Sequence, residues 1–313
     1  MMRITVTGAT GLLGARLVAV LRAHGAEVTV LSRDPQRARA KLESTAEAGA
    51  GALQTLPWDP LRESAPLAAL EGREAVVHLA GEEVAQRWSE RAKQAIRDSR
   101  VLGTQHLVDG LRAIPADSGR PAALLSGSAV GYYGPRGEEP IDEDAPAGSD
   151  FLAQVCVEWE AQARAAQELG MRVVQVRTGV VLDRDGGALA KMLPPFRLGV
   201  GGPVAGGAQY VSWIHPEDHI ELLRTALSDT RWSGPINATA PAPVTNHELA
   251  RTLGRTLHRP AILPVPGLAL RALYGGMAQI VTTGARVLPA KALVLGFEFR
   301  YPKLEQALAT ALA

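Results

Sequence analysis

Between two short apolar runs near its start, the chain reads Thr7-Gly8-Ala9-Thr10-Gly11-Leu12-Leu13-Gly14. Few architectures accommodate three glycines at that spacing and in that place. Ahead of the run, Arg3-Ile4-Thr5-Val6 has the character of a buried strand. Behind it, an Ala/Leu/Val helix runs to about Ala23 and is ended by Gly25, and Glu27-Val28-Thr29-Val30-Leu31 is a second strand. Strand, glycine turn, helix and strand in that order open a dinucleotide-binding βαβ unit. Gly8 permits the tight turn, Gly11 lets the backbone approach a pyrophosphate, and Gly14 allows the helix to pack closely. The helix start offers unpaired N–H groups to phosphate, so Thr10, Leu12 and Leu13 join the glycines as expected cofactor contacts.

The end of the second strand selects the cofactor. An Asp or Glu there would hold the free ribose 2′-OH of NAD, whereas this chain has Ser32-Arg33. A carboxylate repels a 2′-phosphate and a guanidinium grips it with paired hydrogen bonds, so NADP is the expected cofactor. Asp34 follows at once and has two readings: a competing carboxylate, or the cap of a helix that has Pro35 in its first position. Arg33 also has an ordinary reading, as a surface arginine.

Further strands follow at Leu53–Leu56, Ala75–Ala80, Ala122–Leu125 and Arg172–Arg177, alternating with helices over 35–50, 89–113 and 151–169. Such alternation predicts an α/β fold, a Rossmann-like doubly wound, mainly parallel sheet covered on both faces. Asp59 is placed beside an adenine ring, and Leu79, Ala80 and Gly81 leave room for the far ribose, with Glu82 and Ser126 nearby. His78 is either a catalytic or a packed histidine. Residues 134–149 read as an exposed loop. From about residue 183 the periodicity breaks, with helices expected over 216–228, 246–257 and 267–279 and an extended segment over 235–239. The predicted division is a cofactor domain over 1–182, with a return segment around 208–240, and a smaller C-terminal substrate lobe over 183–313.

Charge excludes some partners. With 33 basic and 32 acidic residues the net charge is +1, which gives no footprint for nucleic acid or an anionic membrane. The single cysteine, Cys156, rules out an internal disulfide or a cysteine-built metal site, and no His/Asp/Glu spacing suits a metal. No apolar run is long enough to span a membrane, and no signal region precedes the first strand, so the cytoplasm is the expected compartment.

The residues resemble a known group. The glycine turn, His78-Leu79-Ala80-Gly81 and Ser126-Gly127-Ser128 look like the extended short-chain dehydrogenase/reductases, a superfamily that includes nucleotide-sugar epimerases. More specifically, the chain is similar to an atypical epimerase family, NAD-dependent epimerase/dehydratase-like, whose C-terminal part is a domain of unknown function. That likeness extends over nearly the whole chain. It rests on Gly131-Tyr132-Tyr133-Gly134, Arg177-Thr178-Gly179-Val180-Val181-Leu182, Ser212-Trp213-Ile214-His215 and Asn237-Ala238-Thr239-Ala240-Pro241, among others. It implies a Rossmann domain, a nicotinamide cofactor, a small-molecule substrate and, from the fold, a homodimer.

In the wider superfamily a Ser or Thr, a Tyr and a Lys move the proton that accompanies hydride transfer. Ser128 matches the serine. The Tyr-x-x-x-Lys pair should open the following helix, where Leu152 and Cys156 stand instead, and no shift of register restores it. Tyr132 on the loop after Ser128 and His215 from the C-terminal region are the expected replacements. His215 also has a bland reading, in which it fixes its loop by a hydrogen bond. Three functions remain open: an NADP(H)-dependent oxidoreductase acting on a small carbonyl or hydroxyl compound, an epimerase, and a cofactor-sensing protein with little turnover.

Overall fold

The structure, a computed structural model, describes residues 2–44, 46 and 49–313. Seven strands form its central sheet: β1 (Arg3–Thr7), β2 (Glu27–Ser32), β3 (Leu53–Pro57), β4 (Ala75–His78), β5 (Ala123–Ala129), β6 (Arg172–Thr178) and β7 (Gly234–Ala238). The order across the sheet is β7-β6-β5-β4-β1-β2-β3, and every neighbouring pair is parallel. The order reverses between β1 and β4, where a doubly wound sheet opens a crevice beyond the carboxyl ends of its strands.

The near-continuous apolar runs in the strands follow from burial on both faces. Ile4, Val6, Val77, Leu125 and Val174 pack with α1 (Leu12–Ala23) and, further along the chain, with the helix Pro216–Ser228. The alternate residues Val76, Leu124 and Val173 face the other way, onto Leu107 and Leu111 of the long helix Glu90–Arg112. Among the described residues the helices of eight or more residues are, in chain order, α1, α2 (Pro35–Glu43), α3 (Glu90–Arg112), α4 (Phe151–Arg164), α5 (Gly187–Arg197), α6 (Pro216–Ser228), α7 (Asn246–Thr256), α8 (Gly267–Tyr274) and α9 (Leu304–Leu312). A separate core of Leu189, Phe196, Trp213, Leu253 and Leu308 joins α5, α7 and α9.

Several boundaries differ from those the sequence predicts. The helix expected over 35–50 stops at Glu43, and Thr45, Glu47 and Ala48 of that stretch lie outside the described residues. The strand expected to end at Leu125 continues to Ala129, because β6 offers partners through Thr178, so Ser126-Gly127-Ser128 lies inside β5. The helix expected over 151–169 tightens to a 3-10 turn at Ala165–Leu169 before Gly170, which has φ 78°. The expected loop contains a short strand, Pro140–Ile141, paired in parallel with Arg286–Val287. The segment 267–279 is broken at Gly275, where φ is 60°.

The C-terminal residues are tied into the sheet domain by carboxylates. Glu143 accepts hydrogen bonds from the backbone N–H of Asn237 (2.9 Å) and Lys291 (3.2 Å). Asp218 accepts from the N–H groups of Arg300 (2.8 Å) and Tyr301 (3.0 Å).

Candidate functional site

Two clefts open along the carboxyl edge of the sheet. The first, with about 1110 Å³ of open space including its mouth, lies beyond β1, β2, β3 and β4. Its walls bring together Gly8, Thr10, Gly11, Ser32, Arg33, Asp59, Leu79, Ala80, Gly81 and Glu82. The glycines are needed sterically: a Cβ on Gly8 would lie 2.5 Å from the carbonyl carbon of Leu79, and one on Gly14 would lie 2.2 Å from Gly8 O. Both obstacles are backbone, which cannot swing aside. No side chain caps the start of α1, so its first N–H groups face the turn unclaimed by a capping side chain. The cleft therefore has the backbone cradle and helix N-terminus that suit a pyrophosphate.

Asp34 caps α2, accepting from the Arg37 N–H at 3.0 Å with Pro35 in the first turn. Its carboxylate is thereby occupied, and Arg33 stands exposed at the cleft with no ion pair among the described residues. Asp59 is half-buried, accepts from the Leu61 N–H at 3.1 Å and pairs with Arg62 at 3.3 Å.

Four of the expected cofactor contacts do not line this cleft. Leu13 packs against the core, Leu12 lies against Gly186, Gly14 is buried under the turn, and Ser126 is fully buried within β5.

Further residues brace or adjoin the cleft. Lys41 reaches from α2 to donate to Thr10 O at 2.9 Å, and Ser99 of α3 supports the cleft wall by accepting from the Glu82 N–H at 2.9 Å. Arg100 lies against Gly81, where a Cβ would come within 3.2 Å of its Cζ, and sits over the Trp159 ring at 5.3 Å. Its Nη1 donates to Glu82 O at 3.0 Å and Ile96 O at 3.1 Å. Burial lowers its affinity for its proton, and no carboxylate lies within ion-pair distance among the described residues. On sequence alone Arg100 belongs to Ser99-Arg100, one of the stretches that carry the family likeness, and to a set of basic residues, with Arg87, Lys93 and Arg177, that could form a pocket for an anionic substrate.

His78 has the packed role. Thr104 donates its hydroxyl proton to Arg100 O at 2.6 Å, so it accepts from His78 Nε2 at 3.1 Å, and Nδ1 is left to accept from the Thr7 hydroxyl at 2.7 Å. Complete burial pushes the imidazole pKa down to about 4, so it is neutral and joins β1, β4 and α3.

The second cleft, about 1090 Å³ including its mouth, lies beyond β5 and β6. Val130 and Gly131 after β5, Phe151 and Leu152 at the start of α4, and Val180 after β6 form one side. Trp88 meets Phe151 edge-to-face at 5.2 Å. Leu152, which stands where a Tyr was sought, is thus an apolar wall. Cys156, in place of the Lys, is buried and its thiol pKa is pushed up to about 12, chiefly by burial.

The three side chains expected to move protons lie away from both clefts' walls. Ser128 is buried and donates to Glu160 Oε1 at 2.7 Å. Glu160 in turn grips Arg177 with two bonds, at 2.8 and 3.0 Å. Arg177 also donates to the Tyr133 hydroxyl at 2.9 Å, and its guanidinium lies 3.5 Å from the centre of the Tyr132 ring. Tyr132 is therefore stacked on a buried ion pair. Burial opposes the charge on Arg177, but the Glu160 carboxylate outweighs it and raises the pKa. His215 has the bland role: Nδ1 accepts from the Glu217 N–H at 3.2 Å, capping α6, and the ring lies 3.9 Å from that of Tyr301. Burial lowers its pKa to about 4.

A parallel sheet reversed at β1/β4, with a glycine turn at the reversal and a helix start beyond it, defines a Rossmann-type protein. Comparison with known sequences narrows the class. The chain belongs to the NAD dependent epimerase/dehydratase family, whose profile matches residues 4–237, and residues 265–311 match a domain of unknown function, DUF1731. It is 42% identical over 307 residues to the epimerase family protein SDR39U1 homolog, chloroplastic, of Arabidopsis thaliana, covering 98% of this chain and 86% of that one. The crystal structure of the human epimerase family protein SDR39U1 (isoform 2) with NADPH is similar over 99% of both chains, at 35% identity and a TM-score of 0.85. A UDP-glucuronic acid 4-epimerase from Bacillus cereus shares the fold, with a TM-score of 0.76 at 17% identity over 98% of this chain. Among the described residues no helix is long and apolar enough to cross a membrane.

Proposed function

We propose that this protein is an NADP(H)-dependent oxidoreductase acting on a small carbonyl or hydroxyl compound. The observation that carries the proposal is Arg33, a cation with no ion pair among the described residues, at the end of β2 in the cleft formed by the Gly8–Gly14 turn. A guanidinium there suits a 2′-phosphate, and the similar human protein was crystallised with NADPH. The bound group would supply hydride at its nicotinamide ring. The chain's residues would do the rest. The start of α1 holds the pyrophosphate, Arg33 the 2′-phosphate, Lys41 braces the turn, and Arg100 offers its remaining N–H groups to the ribose beyond Gly81. The substrate lobe would be built mainly from residues after 183, and the cytoplasm is the proposed compartment.

Titration of the purified protein with NADPH and NADH, followed by fluorescence, tests the cofactor half. NADPH binding at least tenfold tighter than NADH, with the preference removed by Arg33→Ala, supports it; equal affinities defeat it. A second reading, a cofactor-sensing protein with little turnover, draws support from the displacement of Ser128, Tyr132 and His215 from the clefts. Tight NADPH binding without NADPH oxidation by any carbonyl compound would favour that reading.

A further inference from the structure

We infer that the second cleft takes an uncharged, predominantly apolar carbonyl substrate and that Tyr210 is the proton donor to its oxygen. This rests on the oxidoreductase reading above and specifies its substrate class and its acid.

The first argument is charge. Among the described residues no Arg or Lys side chain lines the cleft, and the one carboxylate in its wall, Asp150, caps α4 by accepting from the Ala153 N–H at 3.0 Å. Arg286 lies over the Tyr210 ring at 5.4 Å and not in the wall. A nucleotide sugar would bring a diphosphate and a set of sugar hydroxyls, and burying those groups without cations and hydrogen-bond partners is costly.

The second argument is that most polar side chains of the cleft are already held by the protein; the exposed amide of Gln279 is an exception, and an amide can donate a hydrogen bond but does not give up a proton to a carbonyl oxygen. Gln209 donates to Val204 O and Val281 O, and Asn246 Oδ1 accepts from the Val204 N–H. Ser212 donates to Ala285 O at 2.7 Å, and Thr283 donates to Gln279 O at 2.8 Å. Of the three hydroxyl side chains in the wall, that leaves Tyr210, whose phenol has no hydrogen-bond partner among the described residues. The rest of the surface is apolar. Trp88, Phe151, Leu152, Met192 and Leu249 form the wall, and Ile280 and Val281 are over a third exposed at the cleft. In a mainly apolar pocket a few free polar groups fix the ligand's orientation, and Tyr210, the one hydroxyl among them, meets one polar atom of the ligand. Here that atom is the carbonyl oxygen.

The chemistry balances. Tyr210 would give its phenolic proton to the carbonyl oxygen as the bound cofactor supplied hydride to the carbonyl carbon, and water would restore that proton. The net change is a ketone or aldehyde, NADPH and one proton going to an alcohol and NADP.

The test is calorimetric titration of the NADP-loaded protein with methyl ketones from butanone to nonanone, and with UDP-glucose. The expected result is a two- to fourfold gain in affinity per added methylene, since each buried CH₂ contributes up to about 0.8 kcal/mol, and no heat from UDP-glucose. Affinity flat with chain length, or binding of UDP-glucose, overturns the substrate class. Tyr210→Phe, checked for an unchanged melting temperature, should keep nonanone and NADPH affinity within about twofold while turnover falls at least 30-fold. Full turnover in this variant overturns the assignment of Tyr210. Failure of NADPH to bind while ketones do bind would defeat the oxidoreductase reading and leave the apolar site standing. NADPH binding with no ketone bound would do the reverse.

Discussion

The two clefts share one sheet edge but are built from different materials. The first is made of backbone: three glycines, a turn and the start of a helix, with Arg33 as an exposed cation in its wall. The second is made of side chains from α4, α5 and α7 and from the segments after β5, β6, α5 and α8, contributed by residues scattered from Trp88 to Ala285. A backbone site requires particular residues at fixed local spacing and therefore leaves a motif. A side-chain site requires only volume and polarity, supplied by residues far apart in the chain, and leaves none.

That difference can be broken from either side. The largest effect is expected from Gly14→Val, because its Cβ would lie 2.2 Å from a backbone oxygen. NADPH binding should fall more than about 100-fold and urea stability by roughly 2–3 kcal/mol; a variant that binds normally would show that the turn does not need its glycine. Glu160→Gln should destabilise by a similar amount, on the order of 3 kcal/mol, by leaving Arg177 buried without its anion. Unlike the glycine change, it should leave the NADPH affinity of the folded protein unaltered, which a titration below the denaturation range would check.

Arg33→Ala comes next. NADPH should weaken by about 10- to 100-fold, or roughly 1.4–2.8 kcal/mol, with NADH unaffected. Arg100→Ala should weaken NADPH by about tenfold while leaving adenosine 2′,5′-bisphosphate, which lacks the second ribose, within about twofold. Loss of both ligands equally would mean that Arg100 only shapes the wall.

A further effect concerns acid. His78 and His219 are fully buried, and burial holds both near pKa 4, against an ordinary 6.5. The unfolded chain binds protons that the folded chain excludes, so the stability they confer is present above about pH 6.5 and lost as pH falls toward 4. At pH 5 each should cost roughly 2 kcal/mol relative to pH 8. His219→Gln should flatten the pH dependence of urea midpoints over that window by about one proton, and an unchanged slope would refute the assignment.

Legibility follows the same division. The doubly wound sheet could be read because β1, β2, β4 and β6 are apolar runs separated by helix-length segments, and the glycine turn fixed the first crossover. The extension of β5 could not be read, since Ser126-Gly127-Ser128 has the composition of a turn and becomes strand only because β6 lies alongside. Arg33 was legible and so was the absence of Tyr-x-x-x-Lys. The positions of Ser128, Tyr132 and His215 were not. Each has chemistry suited to catalysis, and only the partners brought by tertiary folding, Glu160, Arg177 and Tyr301, turn that chemistry inward. Tyr210 had no motif; it became conspicuous only once its neighbours' hydroxyls were accounted for.

The carboxylates of Glu143 and Asp218 have a consequence for synthesis. Their partners, the N–H groups of Lys291, Arg300 and Tyr301, leave the ribosome only after the whole central sheet. Until then the nascent sheet domain carries two anions poised to be buried, with part of their hydrogen bonding unmade, and an uncovered His215 ring. Premature termination near residue 285 would therefore yield a longer-lived open chain prone to aggregation or proteolysis, and not a shortened working protein.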